Sequence, residues 1–316
     1  MPDENINQNE EVKEAVQEEQ PVAEKPFDQV IEDARQDLYK SYKKTRMVSN
    51  IVMFAAVAAI CGVIFIFIYV NQIASYISAG AILVAMILYY VFTHKRFPNK
   101  TKEYVSLVSK TINEEMFKNQ GFSEIKNDPE EKLKMDDLIG DGIYSGANGI
   151  NSRNVVRGVY KGHHFLYAEA ALVRPSTRKQ QVPPLFVGRY ISVPNDMKFD
   201  NRFVITLKNP KEPLDLPNAV EDLKVLEEKD EFVVYGPEGS NYHDTISNKA
   251  ISQLHKLVVE GHLLNANVVF WGGHTAVYLS YDDAIMAVPF EKPFDKDGFN
   301  KASNDLITAF NAITEK

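Results

Sequence analysis

Seven histidines are the first residues in this sequence that could bind a metal or transfer protons. They are His94, His163, His164, His243, His255, His262 and His274. None lies in a His-Glu-x-x-His segment, and the single cysteine, Cys61, leaves no Cys-x-x-Cys pair, although zinc sites usually draw on such local pairs. His163 and His164 are adjacent in a strand pattern, so they should point to opposite faces of a sheet. The sequence therefore predicts no metal site and no cofactor.

Ser240, His243 and Asp244, in the segment GSNYHD, are the residue types of a catalytic triad. A triad needs a base within hydrogen-bond reach of the nucleophile and a third group that orients the base. Neighbouring residues at the start of a helix rarely provide that geometry. We expect Ser240 or Asn241 to form a helix-start turn instead.

Glu169 is the one weak candidate for a catalytic residue. In a strand it shares a face with Phe165, Tyr167 and Ala171, and a carboxylate among aromatic side chains could act as a general acid or base. The alternative is that Glu169 lies at a sheet edge or pairs with an arginine. Whether the protein is an enzyme is uncertain, and the sequence favours one that is not.

Three other features could contact a ligand, a lipid or a partner. The glycine-rich residues 140–154 could cradle a phosphate, but they lack a Gly-Lys-Ser/Thr ending and follow a helical pattern, which favours a flexible connection. Arg174, Arg178 and Lys179 form a basic loop that could touch lipid head groups or an acidic partner, or could simply be solvated. Trp271 is either a core residue or, if exposed, a partner contact.

The charge balance excludes one class of partner. A net charge of −8 is the wrong sign for a general nucleic-acid binder, which must neutralise phosphates. Residues 1–25 are rich in Asp and Glu and contain no aromatic residue, which predicts a disordered acidic tail.

Residues 47–93 contain no Asp, Glu, Lys, Arg or His. As one straight helix this segment would be about 70 Å long, whereas the hydrocarbon core of a bilayer is about 30 Å thick. Residues 51–70 and 73–92 are each long enough for one span. We therefore expect a transmembrane helical hairpin that reverses at Asn71 and Gln72.

Basic residues on both sides of this segment predict its orientation. Lys43, Lys44 and Arg46 precede it, and Lys95 and Arg96 follow it. Positive flanks at both ends place both termini in the cytoplasm, with two spans in the cell membrane and membrane lipid as a partner. Residues 26–46 predict an amphipathic helix that lies on the inner leaflet or packs on the cytoplasmic domain.

Small residues recur at a spacing of four within the two predicted spans. The pairs are Ala55 and Ala59, Ala58 and Gly62, and Ala81 and Ala85. Small side chains let helix backbones approach closely, so these faces could pack within the hairpin or between copies in a homo-oligomer.

Residues 94–316 combine helix and strand patterns without regular β-α-β alternation, which favours an α+β domain with a mainly antiparallel sheet and packed helices. The predicted strands are 155–160, 163–172, 185–193, 202–207, 231–235, 267–271, 274–281 and 285–290. Lys161-Gly162 and Gly272-Gly273 each predict a tight hairpin. Residues 220–231 predict an exposed helix or turn, and helices are predicted at 104–117, 133–139, 246–258 and 299–313.

Four segments of this region resemble the bacterial family called domain of unknown function 3137. They are VVRGVYKGHHFLYAEAAL, LFVGRYISVP, DEFVVYGPEG and VVFWGGHTAVYLSY, preceded by YSGAN. The resemblance extends over residues 101–293 and the two spans, and it rests on strand patterns. It implies a bacterial membrane protein with a cytoplasmic domain, and it supplies no catalytic residues. Genes of that family often neighbour those of LemA-type membrane proteins, which implies an envelope complex.

We therefore expect a membrane-anchored cytoplasmic binding or scaffold protein of a bacterial envelope, with a membrane protein or a second copy as its partner. The alternatives are a membrane-tethered enzyme without a recognisable motif, and a domain that senses a lipid or a small molecule.

Overall fold

The computed structural model describes residues 25–69, 72–118, 121–128, 130–138, 143–144, 146–174, 183–208, 223–229, 231–244, 246–260, 263–281 and 288–314. These ranges leave out nearly all of the predicted acidic tail, Asn71 of the predicted helix reversal, and most of the strand predicted at 285–290. The described remainder of that last segment, residues 288–290, is not a strand.

The described chain contains four α-helices and seven β-strands. The helices are α1 (Phe27–Tyr69), α2 (Gln72–Met116), α3 (Asn248–Glu260) and α4 (Lys296–Thr314). The strands are β1 (Phe122–Asp128), β2 (Gly149–Tyr160), β3 (His163–Val173), β4 (Phe186–Leu207), β5 (Leu223–Glu228), β6 (Phe232–Pro237) and β7 (Leu263–Tyr281). Short 3₁₀ turns occupy Met135–Asp137 and Tyr242–Asp244.

Helix α1 is one continuous helix, although the sequence predicted two separate elements there, the amphipathic helix at 26–46 and the first span. Its early part buries Ile31 and Leu38, and its later part is long and apolar enough to cross a membrane. Helix α2 likewise continues through Pro98 into the helix predicted at 104–117. Its described apolar stretch, Tyr76–Ile87, is shorter than a span, so the described residues contain one candidate span.

The apolar part of α1 packs along one side. Half-buried side chains recur there at alternating spacings of four and three, at Val52, Ala56, Ala59, Val63 and Ile66. This pattern is typical of a helix packed against one neighbour, and α2 is the helix with which α1 makes its extensive contacts. Nearer the domain, Lys100 Nζ donates to Ser41 Oγ at 3.0 Å. The other small residues predicted to pack, Ala55, Ala58 and Gly62 on α1 and Ala81 and Ala85 on α2, are exposed.

The seven strands form one antiparallel sheet, in which six strands follow the order β1-β2-β3-β4-β6-β5 and β7 pairs with β4. The first half of β4 pairs with β3 and its last residues pair with β6, while β7 runs along the other side of β4. The predicted hairpin between β2 and β3 is confirmed. Its two turn residues, Lys161 and Gly162, have φ of 48° and 87°, as a tight turn with two left-handed residues requires. The α+β class is therefore confirmed.

The hairpin predicted at Gly272 and Gly273 is wrong, because both glycines lie inside the single strand β7. Gly272 has a φ of 57° and pairs with Phe199, and the register between β4 and β7 shifts on both sides of Phe199. A left-handed residue in a strand makes a bulge that bends the ladder. Because β7 pairs with β4 on both sides of the bulge, the chain does not reverse at Gly272. Strand β4 likewise spans two strands that were predicted separately, 185–193 and 202–207.

Two edge strands were not predicted. Residues 220–231 were expected to form a helix or turn, but Leu223–Glu228 is strand β5, which pairs with β6. Strand β1 is a polar segment whose pairing with β2 holds it in the sheet. Edge strands expose much of their side-chain surface, so charged residues such as Glu228 and Lys224 are tolerated there.

The sheet has a core on each face. On one face, α1 to α4 cover aromatic and branched side chains of the strands, among them Tyr167 and Phe203. On the other face, the described residues between 130 and 148, which we call the covering segment, place Leu133, Leu138, Ile143 and Tyr144 over the strands. A buried polar chain fixes this segment, because Thr206 Oγ1 donates to Asn267 Oδ1 at 2.7 Å and Asn267 Nδ2 donates to Tyr144 Oη at 2.9 Å. The described part of the glycine-rich segment is therefore packed and not a free connection.

Candidate functional site

The point where α1 leaves the domain is the best defined candidate for a functional region. Lys43, Lys44 and Arg46 are exposed on α1 directly before its apolar part, and the Lys43 ammonium lies 4.6 Å from the centre of the Tyr39 ring. Lys95 and Arg96 lie on α2, but their side chains are outside the described part of the structure. A collar of cations at the end of an apolar helix suits an anionic membrane surface.

Closer to the start of α1, an ion pair between Arg35 and Glu32 fixes the helix to the domain, and we call this pair the anchor. Arg35 donates to both carboxylate oxygens of Glu32, from Nε at 2.8 Å and from Nη2 at 2.6 Å, and its Nη1 donates to the Phe290 carbonyl oxygen at 3.0 Å. These hydrogen bonds lower the pKa of Glu32 to about 2 and raise the pKa of Arg35. The anchor fixes the start of α1 to the chain segment before α4.

Helix α2 is hydrogen-bonded to the same chain segment, the residues before α4. Tyr104 Oη donates to the Val288 carbonyl oxygen at 3.0 Å, and burial raises the pKa of Tyr104 to about 12. The phenol therefore remains protonated at physiological pH and keeps its donor.

Glu169 lies in a row of charges across three strands. In the register of the sheet it stands opposite Arg153 on β2 and opposite Arg189 on β4. Arg153 Nε donates to Glu169 Oε2, and the buried Arg189 donates from Nη1 to the Ala302 carbonyl oxygen of α4 at 2.6 Å. Glu169 is 8% exposed and its Oε1 has no hydrogen-bond partner. The structure thus shows an arginine partner for Glu169, and a catalytic role for it remains only a prediction from the sequence.

Ser240, His243 and Asp244 are not arranged as a triad. Ser240 Oγ donates to the Pro237 carbonyl oxygen at 2.6 Å, and Asp244 accepts from Asn241 at 3.0 Å. His243 instead lies 3.8 Å from Glu227, which also accepts from Tyr242. These residues form a turn that joins the end of β6 to the residues before α3.

The two predicted contact features lie in different settings. Trp271 is half-buried on β7, and the Arg202 guanidinium lies 4.1 Å from the centre of its ring. Arg174 is exposed after β3, whereas Arg178 and Lys179 lie outside the described residues. Their use as partner or lipid contacts remains a prediction.

Within the described chain, no three His, Cys, Asp or Glu side chains converge as a metal site would require. The described residues line a large surface cleft and a smaller groove. A cleft of about 1140 Å³ lies between the start of α1, the end of α2 and β1. A smaller groove of about 410 Å³ lies across β1 to β4 and is bordered by Lys126, Arg157 and His164. Sequence reasoning missed this groove, because these residues are distant along the chain and only the strand register brings them together.

Neither a family model nor a curated protein matches the chain. Among solved structures, the mycobacterial trehalose monomycolate transport factor A, TtfA, is similar over 65% of this chain and 96% of that chain. The sequence identity is 13% and the TM-score is 0.39. A likeness of this size carries no argument about what the present chain binds or does.

Proposed function

We propose that this chain is a membrane-anchored binding or scaffold protein of a bacterial envelope, with its α+β domain in the cytoplasm. The continuity of α1 supports the proposal most directly. One unbroken helix buries Ile31 and Leu38 in the domain and exposes apolar side chains such as Phe54 and Tyr69 further along. Because no flexible linker separates the two parts, the helix would hold the domain in a fixed orientation at the bilayer.

The proposal includes a second span and two cytoplasmic termini. Helix α2 begins three residues after α1 ends and contacts it, as an antiparallel neighbour in a hairpin would. Residues 73–92 are long enough to cross the bilayer when taken as one span. The collar formed by Lys43, Lys44 and Arg46 would then lie at the inner leaflet, where each cation contributes about 1 kcal/mol of attraction to anionic lipid.

The resemblance to the domain of unknown function 3137 family is part of this proposal. It supplies the bacterial setting and the expectation of an envelope complex. The partner would be a membrane protein or a second copy, and the exposed Ala55, Ala58 and Gly62 offer a face for close helix contact.

The topology can be tested by cysteine labelling in intact cells. Cys61 is replaced by Ala, and single cysteines are then introduced as Lys224→Cys on β5 and Asn71→Cys between the helices. A membrane-impermeant maleimide should label Lys224→Cys only after lysis and Asn71→Cys in intact cells. Labelling of Lys224→Cys in intact cells would refute a cytoplasmic domain.

The scaffold role needs a separate measurement. Photo-crosslinkers placed at Ala58 and Trp271 in native membranes should give discrete protein adducts, either a partner or a dimer of the chain. A crosslinker at Lys224 serves as the control surface. If Ala58 and Trp271 gave no protein adducts beyond those at Lys224, the binding role of these surfaces would be refuted.

A further inference from the structure

The smaller groove lies on the sheet face that carries the covering segment. Val159 stands opposite His164, Arg157 opposite Leu166, and Leu166 opposite Ser192, so these side chains share one face. Leu166 also packs against the core beneath the covering segment. The groove is therefore a part of this face that the covering segment leaves open.

A fixed ion pair forms one wall of the groove. Arg157 donates to Glu131 Oε1 from Nε at 2.9 Å and from Nη2 at 2.7 Å. Glu131 belongs to the start of the covering segment, so this pair marks where the cover ends. Beyond it, the apolar side chains of Val159, Leu166 and Pro194 line a cavity of about 410 Å³.

The border of the groove carries two nitrogen groups that have no partner within the described structure. Lys126 and His164 are exposed and border the cavity, and no ion pair or hydrogen bond occupies either side chain. Glu124 is the one acidic residue among those that line the groove. An apolar floor beside two unpaired nitrogen groups complements an anion attached to an apolar body.

We propose that this groove binds a small organic carboxylate, with its hydrocarbon or aromatic part against Val159 and Leu166 and its charge at Lys126 and His164. Its volume lies near the lower end of the range of about 300–1,000 Å³ typical of small-molecule sites, which favours a compact ligand over a whole lipid. The proposal rests on the binding function proposed above and names its ligand class. The groove belongs to the domain, so its occupancy can be measured whichever way the membrane topology is settled.

The test uses the full chain reconstituted in nanodiscs of zwitterionic phosphatidylcholine, with empty nanodiscs subtracted. The probe is para-trifluoromethylbenzoate, followed by fluorine NMR line broadening, and the matched neutral probe is para-trifluoromethylbenzamide. We expect the benzoate to bind at least about fivefold more tightly than the benzamide, because only the carboxylate can form an ion pair with Lys126. An equal affinity for both probes would overturn the proposal, as would a benzoate that does not bind at millimolar concentration.

Variants locate the binding site. Lys126→Gln should weaken benzoate binding about threefold to tenfold, and Lys126→Arg, which keeps the charge, should largely restore it. His164→Gln should weaken binding to a similar extent. Lys224→Gln removes another exposed lysine, on β5, and should leave affinity unchanged. If Lys126→Gln and Lys224→Gln had the same effect, the groove would not be the site. Both groove side chains are exposed, so these variants are expected to fold.

Discussion

The two parts of α1 form the same regular helix but meet opposite surroundings. Between Phe27 and Tyr42 the helix is amphipathic, and its buried residues Ile31, Arg35 and Leu38 recur at the spacing of one helix face. Beyond Met47 nearly every side chain is apolar, yet Phe54 is 71% exposed within the protein. A charged arginine is inside while a phenylalanine is outside, as expected of a helix whose apolar part is long and apolar enough to cross a membrane.

This contrast shows which information each part of α1 carries. The amino-acid composition specifies the apolar part, because a helix that crosses a bilayer needs apolar side chains around its whole circumference. The domain part is specified by particular partners, since Arg35 is tolerated inside only through Glu32 and the Phe290 carbonyl oxygen. Substitutions in the two parts should therefore fail in different ways.

The largest effect is expected from charges in the apolar part. Val57→Asp combined with Ile64→Asp introduces two carboxylates at exposed positions, each costing about 2.5–3.5 kcal/mol near the centre of a membrane helix. We expect the variant to be lost from membranes washed with alkaline carbonate. The control, Gln29→Asp with Gln36→Asp, changes exposed residues of the domain part and should remain in the membrane pellet. A Val57/Ile64 variant that stays in the pellet would show that retention in the membrane does not depend on this part of α1.

A smaller effect of a different kind is expected at Ile31. This side chain is 0% exposed, and truncation of such a residue to alanine typically lowers the free energy of unfolding by about 2–5 kcal/mol. Ile31→Ala should therefore speed proteolysis of the domain in membranes while membrane retention stays normal. Gln29→Ala, at an exposed position of the same helix turn, should be cut at the wild-type rate. Equal cleavage of both variants would argue against a shared core between α1 and the domain.

The smallest effect is expected at the Glu32 anchor, and it should depend on pH. The pKa of Glu32 falls from 4.5 to about 2, because Arg35 donates hydrogen bonds to its carboxylate. A lowered pKa in the folded state stabilises the fold above the unfolded-state value, and this contribution disappears as pH falls from 4.5 towards 2. Glu32→Gln should thus lower the free energy of unfolding by about 1 kcal/mol at pH 7, since the pair is partly exposed.

The measurement for Glu32 is thermal unfolding in detergent at pH 7 and at pH values below 4.5, followed by circular dichroism. The difference between wild type and Glu32→Gln should shrink across this range. Asp33→Asn is the neighbouring control, because Asp33 makes only an exposed pair with Lys25. A Glu32 effect that stayed constant with pH would mean that the side chain contributes through shape and not through its charge.

Local signals in the sequence were sufficient for several elements. The turn residues Lys161 and Gly162 identify the β2–β3 hairpin because both must adopt positive φ there. The amphipathic pattern of α4 is equally local, with Phe299, Ala302, Leu306 and Phe310 on its buried face. In these cases, the residues that determine the hairpin or the helix lie within that element.

The long strands show where local signals fail. Gly272 carries the same turn signal as Gly162, yet it sits inside β7 because β4 pairs with the strand on both sides of it. Half of the residues of strand β5 are charged, and its pairing with β6 decides its conformation. Hydrogen bonds between distant segments settle such cases, and no short window of sequence contains them.

The candidate sites depend on the same long-range register. The sequence singles out Glu169, but only the alignment of three strands places Arg153 and Arg189 beside it. The groove was not predicted, because Lys126 and His164 come from strands whose pairing cannot be read from their own residues. A search for basic residues beside alternating apolar residues could have found Lys126 and His164. It could not have shown that the two side chains border the same groove.

The sequence alone determined that this chain has an apolar segment bordered by cations, and that an α+β domain with antiparallel strands follows it. Both properties are sums over neighbouring residues, of hydrophobicity in one case and of periodicity in the other. Only the tertiary structure decided that α1 runs unbroken from the domain core into the apolar part, that β4 and β7 are continuous, and which charges meet. Those outcomes depend on contacts between residues far apart in the chain, where packing and pairing outweigh local preference.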